Sequence, residues 1–238
     1  MLVLIAIVLP LAAWVVVTSP FFDVRRVEVH GNRRLSDAAV RRLASIGEGT
    51  GLLTLSLQRV ERLLLTSPWV ATADASRALP NALVLDIRER RPVGQVGDPR
   101  GVAVLARDGI VVEHLSAPDP WLPSVGRSRR LLRPGARAAV ATPVLRVAAS
   151  FDRRLRRQVA EVRAVRGEIR LTLIAGVRVR YGTADLLPQK NAAIRGMLRY
   201  GRREGVEIAL LDVRAPASPV LRQVGPSPIA SPTPSPGG

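Results

Sequence analysis

Cysteine is absent from the 238 residues, and its absence removes whole classes of chemistry. No disulfide framework can brace the fold, and neither a thiol nucleophile nor a thiolate metal site is available. It says little about compartment, because a domain with an adequate core folds outside the cytoplasm without disulfides. Aromatic residues make up only 3% of the chain and none interleaves with a basic cluster. The stacking platforms that grip single-stranded nucleic acid are therefore missing. Of the two histidines, His30 follows an expected strand and His114 ends one, with no His-x-x-x-His spacing for a metal. Lysine occurs once, at Lys190, so the net charge of +17 is carried by arginine.

A basic protein binds nucleic acid or lies beside anionic lipid and wall polymers. Here the densest groups, Arg153-Arg154 with Arg156-Arg157 and Arg202-Arg203, fall in helix-like stretches and read as solvated helix faces. Nucleic acid is accordingly not expected as a partner, and anionic lipid or cell-wall polymer is the expected contact for the excess charge. A basic nucleic-acid binder facing the cytoplasm stands as the alternative from another class.

Leu2 to Phe22 carry no charged side chain. Twenty-one residues at helical rise cover about 30 Å, the thickness of a bilayer's hydrocarbon core. Trp14 and Phe21-Phe22 suit the outer interface, and Pro10 is tolerable in a spanning helix. A cleaved signal peptide is the rival, but the run is long, lacks a basic n-region and lacks a clean small-x-small site. Arg25-Arg26 follow the run and nothing basic precedes it, which taken alone would put the C-terminal part inside. A missing basic cytoplasmic segment before Met1 is the expectation that reverses this.

From Asp23 to Pro92 the pattern reads strand, helix, helix, strand, strand. Val24, Val27 and Val29 mark the first strand, which ends at the turn pair Gly31-Asn32. Ser36-Asp37 caps a helix with Ala39, Val40, Leu43 and Ala44 inward, and Ser56 opens a second with Val60, Leu63 and Leu64 inward. Strands Trp69–Arg77 and Leu83–Glu89 follow, the second alternating Leu83, Leu85 and Ile87 with more polar neighbours. From Val93 to about Arg214 a second unit begins with the hairpin Val102–Ala106 and Ile110–Val112 about Asp108-Gly109. One helix is expected over Ala138–Gln158, then strands Val159–Val165, Ile169–Ile174 and Val177–Tyr181. A helix Leu187–Arg203 and a strand Val206–Arg214 complete it. The Pro/Ser-rich end is expected to be disordered.

No convergent chemistry emerges. No Gly-x-Ser-x-Gly elbow occurs, and Gly47-Glu48-Gly49-Thr50-Gly51 lacks the lysine and strand-to-helix setting of a phosphate loop. Asp86, Glu89, Asp108 and Asp212 are unpaired in sequence. The chain is read as non-enzymatic, with no catalytic or metal residues and no cofactor.

Several segments carry a resemblance. Val27-Glu28-Val29-His30-Gly31-Asn32 and Gly51-Leu52-Leu53 resemble a POTRA domain. Ser67-Pro68-Trp69-Val70, Ala75-Ser76-Arg77-Ala78-Leu79-Pro80-Asn81 and Ile87-Arg88-Glu89-Arg90-Arg91-Pro92-Val93 resemble the FtsQ/DivIB cell-division proteins. Asp108-Gly109-Ile110-Val111, Leu122-Pro123, Tyr181-Gly182, Lys190 and Leu211-Asp212-Val213-Arg214 resemble that family's β domain in order.

The resemblance implies an α+β protein: a transmembrane anchor over 1–22, a POTRA domain over 23–92, a mixed α/β "β domain" over 93–222 and a tail over 223–238. It implies a scaffold at the division septum that holds FtsB/DivIC-like and FtsL-like partners outside the cytoplasm, by pairing a partner strand with an exposed sheet edge. A POTRA chaperone or assembly module in secretion is the alternative. The expected edge is Ala215–Arg222, with Asp212, Arg214, Ala215, Ala217, Ser218, Val220, Leu221 and Arg222 as partner-binding residues. Asp212 and Arg214 either touch the partner or hold the strand in register. Lys190 either closes a turn or helix face or meets a partner carboxylate.

Overall fold

The computed structural model describes Trp14, residues 19–47 and residues 49–224. The expected anchor over 1–22 lies outside the described residues except for Trp14 and residues 19–22, and the expected tail does so from residue 225. Among the described residues, no helix is long and apolar enough to cross a membrane. The chain divides into two compact units, the first reaching Pro92 and adding Ile110–His114 and Leu132–Ala138, the second taking the rest.

The first unit contains β1 (Arg26–His30), α1 (Asp37–Leu43), α2 (Leu57–Leu65), β2 (Val70–Ala78) and β3 (Ala82–Glu89). The order is the expected strand-helix-helix-strand-strand. The sheet runs β1-β3-β2, with β3 parallel to β1 and antiparallel to β2. The local signals act as read. Ser36 Oγ accepts from Ala39 N at 3.2 Å and Ser56 Oγ from Arg59 N at 3.4 Å, each satisfying a free N–H of a helix's first turn. Val40, Ala44, Val60 and Leu64 pack with Leu83, Leu85 and Ile87 of the central strand. Gly31 follows β1 at φ +83, and a Cβ there would stand 1.9 Å from Ile87 O, so both its dihedral and its space require glycine.

The second unit holds β4 (Pro92–Asp98), β5 (Gly101–Ala106), β7 (Ser124–Arg127), α3 (Thr142–Ser150), α4 (Arg153–Arg156), β8 (Val159–Val165), β9 (Glu168–Leu173), β10 (Arg178–Gly182), α5 (Leu187–Glu204), β11 (Ile208–Asp212) and β12 (Val220–Gln223). The remaining strand, β6 (Val111–Leu115), belongs to the first unit as far as His114. Within the second unit the strand order is β12-β11-β10-β9-β8-β7-β4-β5. Gly109, at φ +80, makes the turn after β5 and donates to Ala106 O at 3.0 Å.

Three differences from the sequence reading have physical causes. The helix expected over Ala138–Gln158 is two helices. It starts only at Thr142 because Pro143, with no N–H, occupies the first turn, and it stops where Phe151 turns extended, at ψ 130. Asp152 then caps α4, its Oδ1 accepting from Leu155 N at 2.8 Å. Second, β4 and β7 were not foreseen. They are short, and Gln95 inside β4 is buried through bonds to Asp119 O, Leu122 O and Asp119 N, so alternation does not mark it. Third, the segment expected as an edge over Ala215–Arg222 is a turn as far as Ser218, whose N–H donates to Ala215 O at 3.1 Å, and a strand only from Val220. Pro216 and Pro219 remove two ladder donors there.

Candidate functional site

β10, α5 and β11 form a strand-helix-strand crossover, which the parallel pairing of β10 with β11 requires. The motif residues Tyr181-Gly182, Lys190 and Asp212-Val213-Arg214 meet at the ends of these two strands. Tyr181 and Lys190 are buried, as is Asn191. The Tyr181 hydroxyl donates to Asn191 Oδ1 at 3.0 Å, and Asn191 Nδ2 donates to Ser150 O at 3.1 Å and Ser150 Oγ at 3.0 Å. Burial pushes the Tyr181 phenol up to about 12, so it acts as a neutral donor.

Lys190 Nζ donates to Asp185 Oδ1 at 2.5 Å and Thr183 O at 2.9 Å, and lies 5.3 Å from the Tyr181 ring centroid. Of the two readings of Lys190, the geometry is that of turn closure: its charge is matched within the 183–185 turn. The hydrogen bond from Lys190 holds the exposed Asp185 carboxyl at about 2. Sequence reasoning missed Asp185 and Asn191, although an aspartate five residues before the only lysine was a signal available in the sequence.

Asp212 ends β11 and Arg214 follows it. Arg214 forks onto the Asp212 carboxylate through Nε, at 3.0 Å to Oδ1, and Nη2, at 2.7 Å to Oδ2, and reaches Glu168 Oε1 at 3.4 Å. The guanidinium holds Asp212 below the usual carboxylate range. The stem of Arg214 lies over Gly182, at φ +79, where a Cβ would come within 2.9 Å of Arg214 Cγ. The two motifs Tyr181-Gly182 and Asp212-Val213-Arg214 therefore interlock, also through Val213 N donating to Arg180 O at 3.0 Å. This is an arrangement that fixes the end of the sheet.

Beyond that lock the chain turns through Ala215, Ala217 and Ser218, all exposed, and returns as β12 antiparallel to β11. Asp212 pairs with Val220, Leu211 with Leu221 and Leu210 with Arg222. Gln223, assigned to the tail by the sequence reading, still pairs with Ile208, and Val224 N donates to Glu207 O at 3.0 Å. β12 is the terminal strand of the order, with no neighbour on its other side among the described residues. Val220 is 63% exposed, Arg222 and Gln223 are exposed, and Leu221 is half-buried. Among the described residues no cluster of three or more His, Cys, Asp or Glu is placed to hold a metal.

In the first unit the motif pieces also interlock. Arg90 Nη1 donates to Pro68 O at 3.0 Å and Val70 O at 2.5 Å. Burial works against the charge of Glu89, yet backbone N–H groups of Leu35, Arg33 and Arg34 lower its pKa and tie the loop after β1 to β3.

Comparison with known proteins agrees with this arrangement. Residues 22–90 match the family model described as POTRA domain, FtsQ-type, and residues 95–214 match that described as Cell division protein FtsQ/DivIB, C-terminal. Cell division protein FtsQ of Myxococcus fulvus is 29% identical over 208 residues, 83% of this chain and 72% of the relative. Cell division protein FtsQ of Novosphingobium aromaticivorans is 28% identical over 225 residues, 90% of this chain and 65% of the relative. Cell division protein DivIB of Clostridium tetani is 27% identical over 94 residues, 40% of this chain and 36% of the relative. With matches to both domain models in order along one chain, this protein belongs to the FtsQ/DivIB family of cell-division proteins.

Proposed function

We propose that the chain is a non-enzymatic scaffold of the division machinery, anchored in the cell membrane by residues 1–22 with its folded part outside the cytoplasm. In this reading residues 23–92 are the POTRA domain, the β domain runs from residue 93 and includes Gln223 and Val224, which pair with β11 and Glu207, and the tail follows them. The β domain holds FtsB/DivIC-like and FtsL-like partners at the septum by accepting a partner strand along β12. The observation that carries the reading is the terminal position of β12, whose outer side has no strand partner among the described residues. An unpaired edge offers a row of N–H and C=O groups, which a second chain satisfies by extending the sheet. Val220 and Leu221 supply apolar contact beside that row, and Arg222 supplies charge. The lock between Arg214 and Asp212 supports the edge by fixing where the return turn begins.

The test is capture of an FtsB/DivIC-like partner by the full chain and by a chain ending at Arg214. Loss of capture with the shortened chain supports strand addition at β12. Retained capture moves the partner site elsewhere on the β domain.

A further inference from the structure

The uncharged run meets the first unit without a spacer. Pro20–Phe22 form one turn of 3-10 helix, with Ser19 Oγ accepting from Phe21 N at 3.3 Å. Leu52 N then donates to Phe22 O at 2.7 Å, Val24 N donates to Thr50 O at 2.8 Å, and Asp23 and Gly51 form an antiparallel bridge. Arg25 N and Arg26 N both donate to Asn81 O, at 2.9 and 3.2 Å. Arg77 braces the same end, its guanidinium donating to Leu52 O and Leu55 O at 2.7 Å each. The last residue of the run is thus already hydrogen-bonded to the folded unit.

Two exposed apolar side chains of this unit, Phe21 and Leu79, lie at that end, while Leu65 is exposed at the other, where α2 ends before β2. Leu79 is 65% exposed and Phe21 60%, against 46% for Leu65. Leu79 sits in the turn between β2 and β3, two residues from the Asn81 carbonyl that receives the incoming chain. Apolar side chains of this size gain free energy on leaving water, and aromatic rings favour the bilayer interface. Arg25 and Arg26 are exposed beside them, and arginine stems cover apolar surface while their heads reach phosphate.

We propose that this end of the first unit lies in the bilayer interface, with Phe21 and Leu79 at the headgroup–acyl boundary and Arg25 and Arg26 on the phosphates of anionic phospholipids. The inference rests on the reading of Leu2–Phe22 as a membrane anchor. The occupant follows from chain length: Ser19 is extended and Pro20–Phe22 make a single 3-10 turn, so only these four residues of the run can separate a helical span from a unit bonded to Phe22 itself. The unit is therefore held on the membrane surface in one orientation and does not swing on a tether.

The test uses the full chain in nanodiscs of phosphatidylcholine and phosphatidylglycerol containing nitroxide-labelled lipid. Because the chain has no cysteine, each single-cysteine variant carries one fluorophore. Leu79→Cys probes the proposed contact. Arg33→Cys, beyond the opposite end of β1, is the reference, and Leu11→Cys probes the run itself. The expected result is lipid quenching at position 79 severalfold stronger than at position 33, reduced when Arg25 and Arg26 are changed to Glu while quenching at position 11 persists. Equal quenching at 79 and 33 with strong quenching at 11 overturns the contact and leaves the anchor standing. An unquenched label at 11 overturns the anchor and the contact with it.

Discussion

A buried ammonium must be matched on every side, and Lys190, 1% exposed, is matched by Asp185, the Thr183 carbonyl and the Tyr181 ring. A compact group with three donors fits where a planar guanidinium does not, which gives a physical reason for the lone lysine of an arginine-rich chain. Lys190→Ala removes the buried stem and strands its partners, and we expect a loss of about 3 kcal/mol in denaturant unfolding of the full chain. The pH dependence has a definite sign. The folded carboxyl of Asp185 titrates at about 2 against an ordinary value of 3.8, so its contribution is full above 3.8 and is lost as pH falls towards 2. Asp185→Asn should therefore be less stable near neutrality and show a shallower fall in Tm over that acid window; thermal unfolding at stepped pH checks both. That Lys190 stood apart was legible from composition. Its carboxylate was not identified, because only the 183–185 turn brings residue 185 onto the ammonium.

At the scale of elements, the division between α3 and α4 is a matter of one side chain. Asp152 caps α4 and pairs through Oδ2 with Arg195 Nη1 of α5 at 2.6 Å. Losing an N-cap costs about 1–2 kcal/mol, while the half-exposed ion pair adds little. Asp152→Ala should lower stability by that amount in urea unfolding, and Asp152→Asn, which keeps a capping oxygen, should recover most of it. Periodicity over Ala138–Gln158 places Val140, Val144, Leu145, Ala148, Phe151 and Leu155 inward; the last five are buried and Val140, ahead of the helix, is half-buried, and the pattern missed the break. Burial spacing survives the short break at Phe151 and Asp152, both extended, so a hydrophobic pattern alone does not report it. Ser36 and Ser56 were legible as caps because a cap and its helix are neighbours in sequence. The pairing of β4 with β7 was not, because it joins residues about 30 apart along the chain.

For the whole molecule, an arginine excess and an uncharged first stretch pull the topology in opposite directions. Arg25-Arg26 beside the run favour an inward C-terminal part, whereas the scaffold role proposed above places it outward. The proposed orientation predicts that a single cysteine placed at exposed Ser218 reacts with a membrane-impermeant maleimide in intact cells. Labelling only after the cells are broken would reverse the orientation and remove β12 from any partner outside the cytoplasm.

By itself the sequence determined the order of elements in the first unit, the alternation that buries one face of β3, the absence of thiol chemistry and the family. These depend on spacing, caps and local motifs, whose physics acts over a few residues. Tertiary structure alone decided that Tyr181-Gly182 interlocks with Arg214, that Gln95 is a buried clamp and that Phe22 is bonded to Leu52. It also decided that the edge strand begins at Val220 and not at Ala215. The reason is common to all four. Each depends on which backbone groups find partners across the fold, and a hydrogen bond between distant segments leaves no period in either one.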